Sequence, residues 1–525
     1  MKRFRLTKAS KILILVMILA LIGGGGYFGF SKGFIKTKSK NESVTADKKT
    51  NTNVEAAKHI DAGDSTINLA LDEWIGWKSI IDANGGLKTQ KNSIFDKLGL
   101  DVNINVVNDA AQSSNAMIKG KLNAAGYTIN RTAFLSKKFT DAGLDVVMPY
   151  ITNYSNGGDG IIATDKFQTV NSLVDAKIGV PQFSEAHSLV VWFVNQSDLA
   201  DDEKQKIIND LIFFDTPDDA AKAFFAGQID VAATWQPYLT QAENTSNCHV
   251  LFSTANSTKL ILDGIVFRND FAKAHPEVIS KFIDGALQAS EMYDTEFDAL
   301  KEAMPMFSGM SDDEIKSMTA DAALAGWTNN METLSTEAPQ IYSDMCNVWS
   351  SIGESVKPDL VDGLFDTSFM ESLQDKYEGD DPIQAVKKEV KVTEENQDEI
   401  LNVQAMLTKS ASVNFIESTA KFVDSADASA KLDDFIKVAK ILDGTIIQIE
   451  GNTDPNPDTD PTDEANVMLS KQRAETVKQY FILNGISADR IISVGNGSSK
   501  PIVDNTSDEK RAMNRRTDVS FKCIE

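Results

Sequence analysis

Two sets of residues in this sequence are of types and spacings that grip a ligand by charge. Toward the C-terminal end, Asn452-Thr453-Asp454 closes an apolar run, Leu469-Ser470-Lys471-Gln472-Arg473-Ala474 follows it, and Asn514-Arg515-Arg516 comes last. Residues 466–483 read as one helix. Asp460-Pro461 offers a capping acid and a first-turn proline, Asp463 and Glu464 sit at the positive end of the dipole, and Gly485 ends it. Leu469, Arg473, Val477 and Phe481 recur at fourfold spacing, so Arg473 shares the apolar face. A guanidinium facing inward needs a carboxylate, and Asp454, just past a strand predicted over 446–450, is the nearest candidate. Such a pair at the mouth of a small domain would hold a zwitterion, one charge on its ammonium and one on its carboxylate. The plainer reading is a buried ion pair with no ligand.

The second set lies between residues 66 and 375. Trp74, Gly76 and Trp77 follow the first predicted strand, Thr128 falls in the next strand-end loop, and Trp235 follows a later strand. Ser184 and Ser188 flank the start of a helix containing His187, where free backbone amides favour an anion. Against an anion stand Asp72, Glu73, Asp159 and Asp263 near the same rim, with no arginine placed among them. Tryptophans with carboxylates suit an ammonium, so an amine-bearing or neutral organic ligand is favoured over a simple oxyanion. Bland roles compete. Trp192 on an apolar helix reads as core, Trp327 and Trp349 as cover for the back of the first lobe, and Trp74 or Trp77 can do the same. His187 can be a plain helix-start residue, and Asp159 can serve only to organise a glycine-rich turn.

Other chemistry is thin. Asp454, Asn456, Asp458 and Asp460 alternate like a calcium loop. The sharp-turn glycine is replaced by Thr459 and the terminal glutamate by Ala465, so a solvated acidic turn is the better reading. Three cysteines and four histidines in 525 residues are scattered too widely for a disulfide framework or a metal cluster. An enzyme would need a reactive centre in the cleft, and only His187 is available, with no paired base. No catalytic residue, metal or cofactor is therefore expected. A net charge of -24 argues against nucleic acid and against an anionic bilayer as main partner.

The elements that must position these residues follow from pattern. Residues 1–11 form a basic stub, and 12–30 run without a charge for long enough to span a bilayer core of about 30 Å. An uncleaved transmembrane anchor is expected, then a polar stalk over 31–65. Over 66–375, strands at 67–71, 102–107, 146–150, 160–163, 177–180, 212–215, 231–234, 250–253 and 264–268 alternate with helices at 110–119, 187–195, 217–226 and 276–293. That alternation predicts an α/β block of two lobes with largely parallel sheets, hinged near 150–159 and Asp263 and closing on a small molecule. Residues 376–408 read as a charged linker, and 409–525 as a small α+β domain.

The last block resembles the OmpA-like peptidoglycan-binding domain. The motifs are Val413-Asn414-Phe415, Ile449-Glu450-Gly451-Asn452-Thr453-Asp454, the Leu-Ser-x-x-Arg-Ala helix, Gly495-x-Gly497 and the closing Asn-Arg-Arg. The resemblance implies that Asp454 and Arg473, with Thr453, Asn466 and Arg515, hold the peptidoglycan stem peptide. The central block is similar to solute-binding proteins of ABC importers, of the nitrate, sulfonate, taurine and thiamine-precursor type. It does so through Trp74-Ile75-Gly76-Trp77, Gly157-Gly158-Asp159-Gly160, Val174-Asp175-Ala176-Lys177, Ala233-Thr234-Trp235-Gln236-Pro237 and Asp263-Gly264-Ile265-Val266-Phe267. Together these imply a two-lobed periplasmic-binding-protein fold joined to an OmpA-like domain. The protein would be a single-pass protein of a bacterial cytoplasmic membrane, its bulk facing the cell wall, with an ABC permease as partner. A sensor or scaffold using the same module without transport is the alternative.

Overall fold

The computed structural model describes residues 64–525, apart from 258, 384–388, 412, 414, 417–418, 455–463 and 525. The expected stub, anchor, stalk up to residue 63 and calcium-like loop lie outside the described residues. Among the described residues, no helix is long and apolar enough to cross a membrane.

The first lobe begins with β1 (Ile67–Leu71), β2 (Val102–Val106), β3 (Ala124–Thr128) and β4 (Val146–Ser155). The chain then crosses to the second lobe, laying down β5 (Asp159–Thr164), β6 (Ile178–Pro181), β7 (Ile212–Phe214), β8 (Val231–Trp235) and β9 (Cys248–Ser253). It returns with β10 (Leu262–Arg268) and β11 (Ala322–Leu324). The sheets are ordered β11-β4-β10-β3-β1-β2 and β7-β6-β8-β5-β9. Strands joined by helices within a lobe pair in parallel, as in β1 with β2 and β3 and β6 with β7 and β8. The two strands that arrive from the other lobe do not. β10 lies antiparallel to β3 and β4, and β5 antiparallel to β8 and β9. The expectation of largely parallel sheets is corrected on that point, because a strand entering from the far lobe makes no helical return to the sheet's starting edge. β3, Ala-Ala-Gly-Tyr-Thr, was absent from the predicted strands since it has few β-branched or aromatic residues, yet all five are buried.

Helix starts fix the cleft's side chains. Thr128 caps the helix Ile129–Ala142 by accepting from the Arg131 N–H, and Ser184 caps Glu185–Gln196 by accepting from the His187 N–H. Each cap places the residue at the end of a strand and the next charged side chain in the first helical turn.

The C-terminal layer is a sheet of β12 (Leu407–Ala411), β13 (Ile446–Gly451), β14 (Ile491–Gly495) and β15 (Thr517–Lys522), ordered β12-β15-β13-β14. It is joined by the helices Ser425–Ile441 and Glu464–Leu483. Arg473, Val477 and Phe481 are buried on the second helix, as the fourfold spacing predicts, and Leu469 is half-buried. Phe415 makes an isolated bridge to Phe422, and the edge strand is β12, which straddles the expected boundary between the linker and the small domain. Lys409 hid it: this lysine occupies a buried position of β12 and is balanced there by Asp434 at 2.6 Å. Ile400, inside the expected linker, is buried with Ile446 and Ile492.

Candidate functional site

The two crossing chains shape the cleft floor. Asp159 opens β5 opposite Trp235 of β8, and Asp263 lies in β10 opposite Thr128 of β3. These four residues, with Trp74 and Trp77, line a cleft of about 590 Å³, part of it open solvent. Trp74 fits because Gly158 has no side chain: a Cβ there would fall 2.4 Å from the indole. The indole N–H groups are already engaged. Trp77 donates to Asp72 Oδ1 at 2.6 Å, Trp74 to Asn153 Oδ1 at 3.1 Å and Trp235 to Asp218 Oδ1 at 2.8 Å. What the tryptophans offer the cleft is therefore ring surface.

Charge in the cleft is lopsided. Asp72, Asp159, Asp263 and Glu185 all line it. Burial pushes Asp72 up to about 6 and Asp159 up to about 7, and neighbouring carboxylates add to both shifts. Asp263 is raised well above the ordinary carboxylate value, by burial first and then by repulsion from Asp72, Asp159 and Glu185.

Sequence reasoning placed no arginine here, and the structure corrects that. Arg131 lines the cleft and meets Glu185 in a two-pronged ion pair, Nε to Oε1 at 2.8 Å and Nη2 to Oε2 at 2.6 Å. Thr128 Oγ1 donates to the same Oε1 at 3.0 Å. Burial alone would raise the Glu185 carboxyl, but Arg131 and these hydrogen bonds hold it below its ordinary value. The pair joins the lobes, since Arg131 follows β3 of the first and Glu185 follows β6 of the second. Its one signal in the sequence was Arg131 three residues after the capping threonine.

Four predicted residues stand off the cleft. Gly76 sits beneath it, where a Cβ would meet Asn153 Nδ2 at 2.3 Å, so it makes room for the residue that holds Trp74. Ser184 is spent on its cap and on the Pro181 carbonyl, to which its hydroxyl donates at 2.6 Å. Ser188 donates to the Glu185 carbonyl and accepts from Asn130 Nδ2 at 3.0 Å. His187 is buried against Phe183, Phe213 and Trp349, and its Nδ1 accepts from the Phe183 N–H at 3.2 Å. Burial pulls it down to about 4, so it is a neutral packing residue. The helix start expected to favour an anion carries Glu185 in its own first turn. Among the described residues, no cluster of side chains could hold a metal ion.

At the end of β13 the expected partners are exchanged. Asp454 Oδ2 pairs with Arg515 Nη1 at 3.3 Å, not with Arg473. Arg473 donates through Nε to the Thr419 carbonyl at 3.1 Å and lies over the Phe415 ring, 5.0 Å from its centre. Burial and then Arg515 lower its basicity, while Asp454 opposes them, so the three charges share one neighbourhood. The reason for the exchange is local: a backbone carbonyl and an aromatic face already satisfy the inward guanidinium. Beside them, the Thr453, Ser498 and Thr517 hydroxyls are buried with no hydrogen-bond partner among the described residues. Asn466 is half-buried in the first turn of the helix Glu464–Leu483.

Residues 414–515 match the model of the OmpA family. Over 121 residues the chain is 30% identical to the peptidoglycan-associated lipoprotein of Pseudomonas putida, a match covering 22% of this chain and 70% of the lipoprotein. The chain belongs to the OmpA family. The OmpA-family segment is also 38% identical over 79 residues to outer membrane porin F of Pseudomonas fluorescens, which is 15% of this chain and 23% of the porin. It thus spans less than a quarter of that relative. Residues 87–294 match the NMT1/THI5 like model. The periplasmic aliphatic sulphonate binding protein SsuA from Escherichia coli aligns at TM-score 0.46 and 14% identity, covering 58% of this chain and 98% of that one.

Proposed function

We propose that this protein captures a small amine-bearing molecule between its two lobes while its OmpA-family segment holds the peptidoglycan stem peptide. The observation that carries the ligand class is the cleft itself. Four carboxylates face it, one arginine is present, and that arginine is already matched by Glu185. A buried like-charge cluster is costly unless protonated or neutralised, and a cation between tryptophan rings neutralises it. No covalent step is required. Residues 12–30 would anchor the chain in the cytoplasmic membrane with its bulk facing the wall, and an ABC permease would receive the solute.

The wall-binding reading is supported by Asp454, Arg473 and Arg515 meeting at one strand end beside three hydroxyls with no partner among the described residues. It is supported also by the similarity to the peptidoglycan-associated lipoprotein of Pseudomonas putida. A second reading, a wall-bound sensor or scaffold without transport, draws support from the attachment of the OmpA-family segment to the second lobe. There the Ser410 N–H donates to Asp198 Oδ1 at 2.9 Å.

A thermal-shift screen of the full chain against amines, betaines, pyrimidines, sulfonates and inorganic oxyanions tests the capture reading. A ligand that binds only the folded state raises the melting temperature by mass action. A shift with amines or betaines supports it; a shift confined to sulfonates or oxyanions sinks the assignment of ligand class.

A further inference from the structure

The OmpA-family segment touches the binding module at a mechanically sensitive place. Between β9 and β10 the returning chain makes a short turn, Thr254–Asn256, and this is one of the two crossings between the lobes. The buried Thr254 hydroxyl knots both crossings together. It lies 2.8 Å from Ser155 Oγ, accepts from the Gly157 N–H at 2.9 Å, and donates to the Asp159 carbonyl at 3.2 Å. Asp159 is the cleft carboxylate that opens β5. Two residues along the turn, the Asn256 carbonyl accepts from the Gly444 N–H at 3.0 Å, and Asn256 Nδ2 donates back to the Gly444 carbonyl at 3.4 Å. A Cβ on Gly444 would fall 2.9 Å from the Ala255 carbonyl oxygen, so the approach is close.

On the other side of this contact the geometry is stiff. Gly444 lies in the turn between the helix Ser425–Ile441 and β13. The buried Arg490 clamps that turn, donating to the Ala439, Leu442 and Thr445 carbonyls at 3.2, 2.6 and 3.0 Å. β13 then runs straight to Thr453 and Asp454. Among the described residues, further polar contacts hold the segment to the second lobe: Ser410 to Asp198, Lys409 Nζ to Gln196 Oε1 at 3.4 Å, and the Val170 N–H to the Met406 carbonyl at 3.3 Å. The segment is bonded to the second lobe and also to one of the crossings that join it to the first.

We propose that the contact between Gly444 and Asn256 couples the two binding sites, so that occupancy of the wall site alters the lobe angle and lobe closure alters the grip on the wall. The proposal rests on the wall-binding reading above. Coupling of this kind is reciprocal, and a change of about fivefold in affinity lies at the low end of what such contacts give. The tryptophans make it readable. All six precede residue 350, so emission reports the binding module alone.

The test uses the full chain in detergent, purified peptidoglycan for sedimentation, and a soluble muropeptide carrying diaminopimelate as the probe. Muropeptide is expected to shift tryptophan emission. Gly444→Ala and Asn256→Ala should each keep sedimenting with the wall yet lose the emission shift. Arg131→Ala, which frees the lobes, should change muropeptide affinity about fivefold. Muropeptide bound with no emission change, or a shift that survives both substitutions, overturns the coupling and leaves the wall-binding reading standing. Failure to bind wall or muropeptide at all overturns both.

Discussion

The cleft and the charge cluster at the end of β13 are each built around a few buried or half-buried charges, but their balances are opposite. In the cleft four carboxylates face one guanidinium, and the guanidinium is spent on Glu185. At the end of β13 two guanidiniums face one carboxylate, and a carbonyl and an aromatic ring absorb part of their charge. The first arrangement lacks a cation and stores its deficit as raised carboxyl pKa values. The second keeps a salt bridge loose enough to open, with cationic charge in excess. A ligand dominated by an amine suits the first, and one with more than one carboxylate suits the second.

The sharpest way to break this contrast is to remove the cleft's charge. Asp263→Asn with Asp159→Asn should weaken an amine ligand on the order of 100-fold by calorimetry, the scale of truncating a buried charge pair. Unchanged affinity in the double variant would move the ligand elsewhere. Next in size, Arg473→Ala or Asp454→Ala should cut wall sedimentation about tenfold while leaving the melting temperature of the binding module in place. Full sedimentation by both variants would reduce the C-terminal charges to structure.

The pH dependence separates the two sites further. Asp159, held near 7, and Asp263, also raised well above its ordinary value, keep protons in the fold that the unfolded chain has already released near 4. The folded state therefore binds more protons over that interval, and stability contributed by them falls as pH rises. His187 acts the other way, but only below its ordinary 6.5, since the fold keeps it neutral down to about 4. Above about pH 6.5, where His187 no longer opposes it, the ligand-free melting temperature should thus fall as pH rises toward 7, and Asp159→Asn should flatten the slope. An amine should bind more tightly over the same interval, with protons released. A melting temperature that rises with pH in that window would contradict the burial of these acids. The smallest expected effect is at Ser184. Ser184→Ala removes a helix cap at a cost of about 1 kcal/mol by denaturant titration, and should leave ligand affinity unchanged.

What was readable in advance depended on whether a residue's neighbours came from its own element. Arg473's inward face followed from spacing along one helix, and Trp74, Trp77, Thr128, Asp159, Trp235 and Asp263 were placed by loop and hinge positions at the expected rim. All six line the cleft. Arg131–Glu185 was invisible because its partners are 54 residues apart on different lobes. His187 read as a cleft candidate or a plain helix-start residue because nothing local announces that Phe213 and Trp349 pack against it. β12 was masked by Lys409, whose charge is answered by Asp434 on a neighbouring helix. In each miss the deciding contact came from a distant segment, which periodicity does not reach.

The C-terminal sheet has a bearing on force. β12 enters it at Leu407, and β13 leaves it toward Asp454. Both pair antiparallel with β15 between them, Ala411 and Gly451 each opposite Thr517. β12 and β13 therefore point the same way, and a pull on Asp454 against Leu407 acts along the strands from opposite ends. The rungs on both sides of β15 are then loaded in shear and share the tension, instead of opening one after another as in a zipper. A domain gripping a rigid mesh while its other end follows a fluid membrane would be strained along this line, the direction in which its hydrogen-bond ladder is strongest.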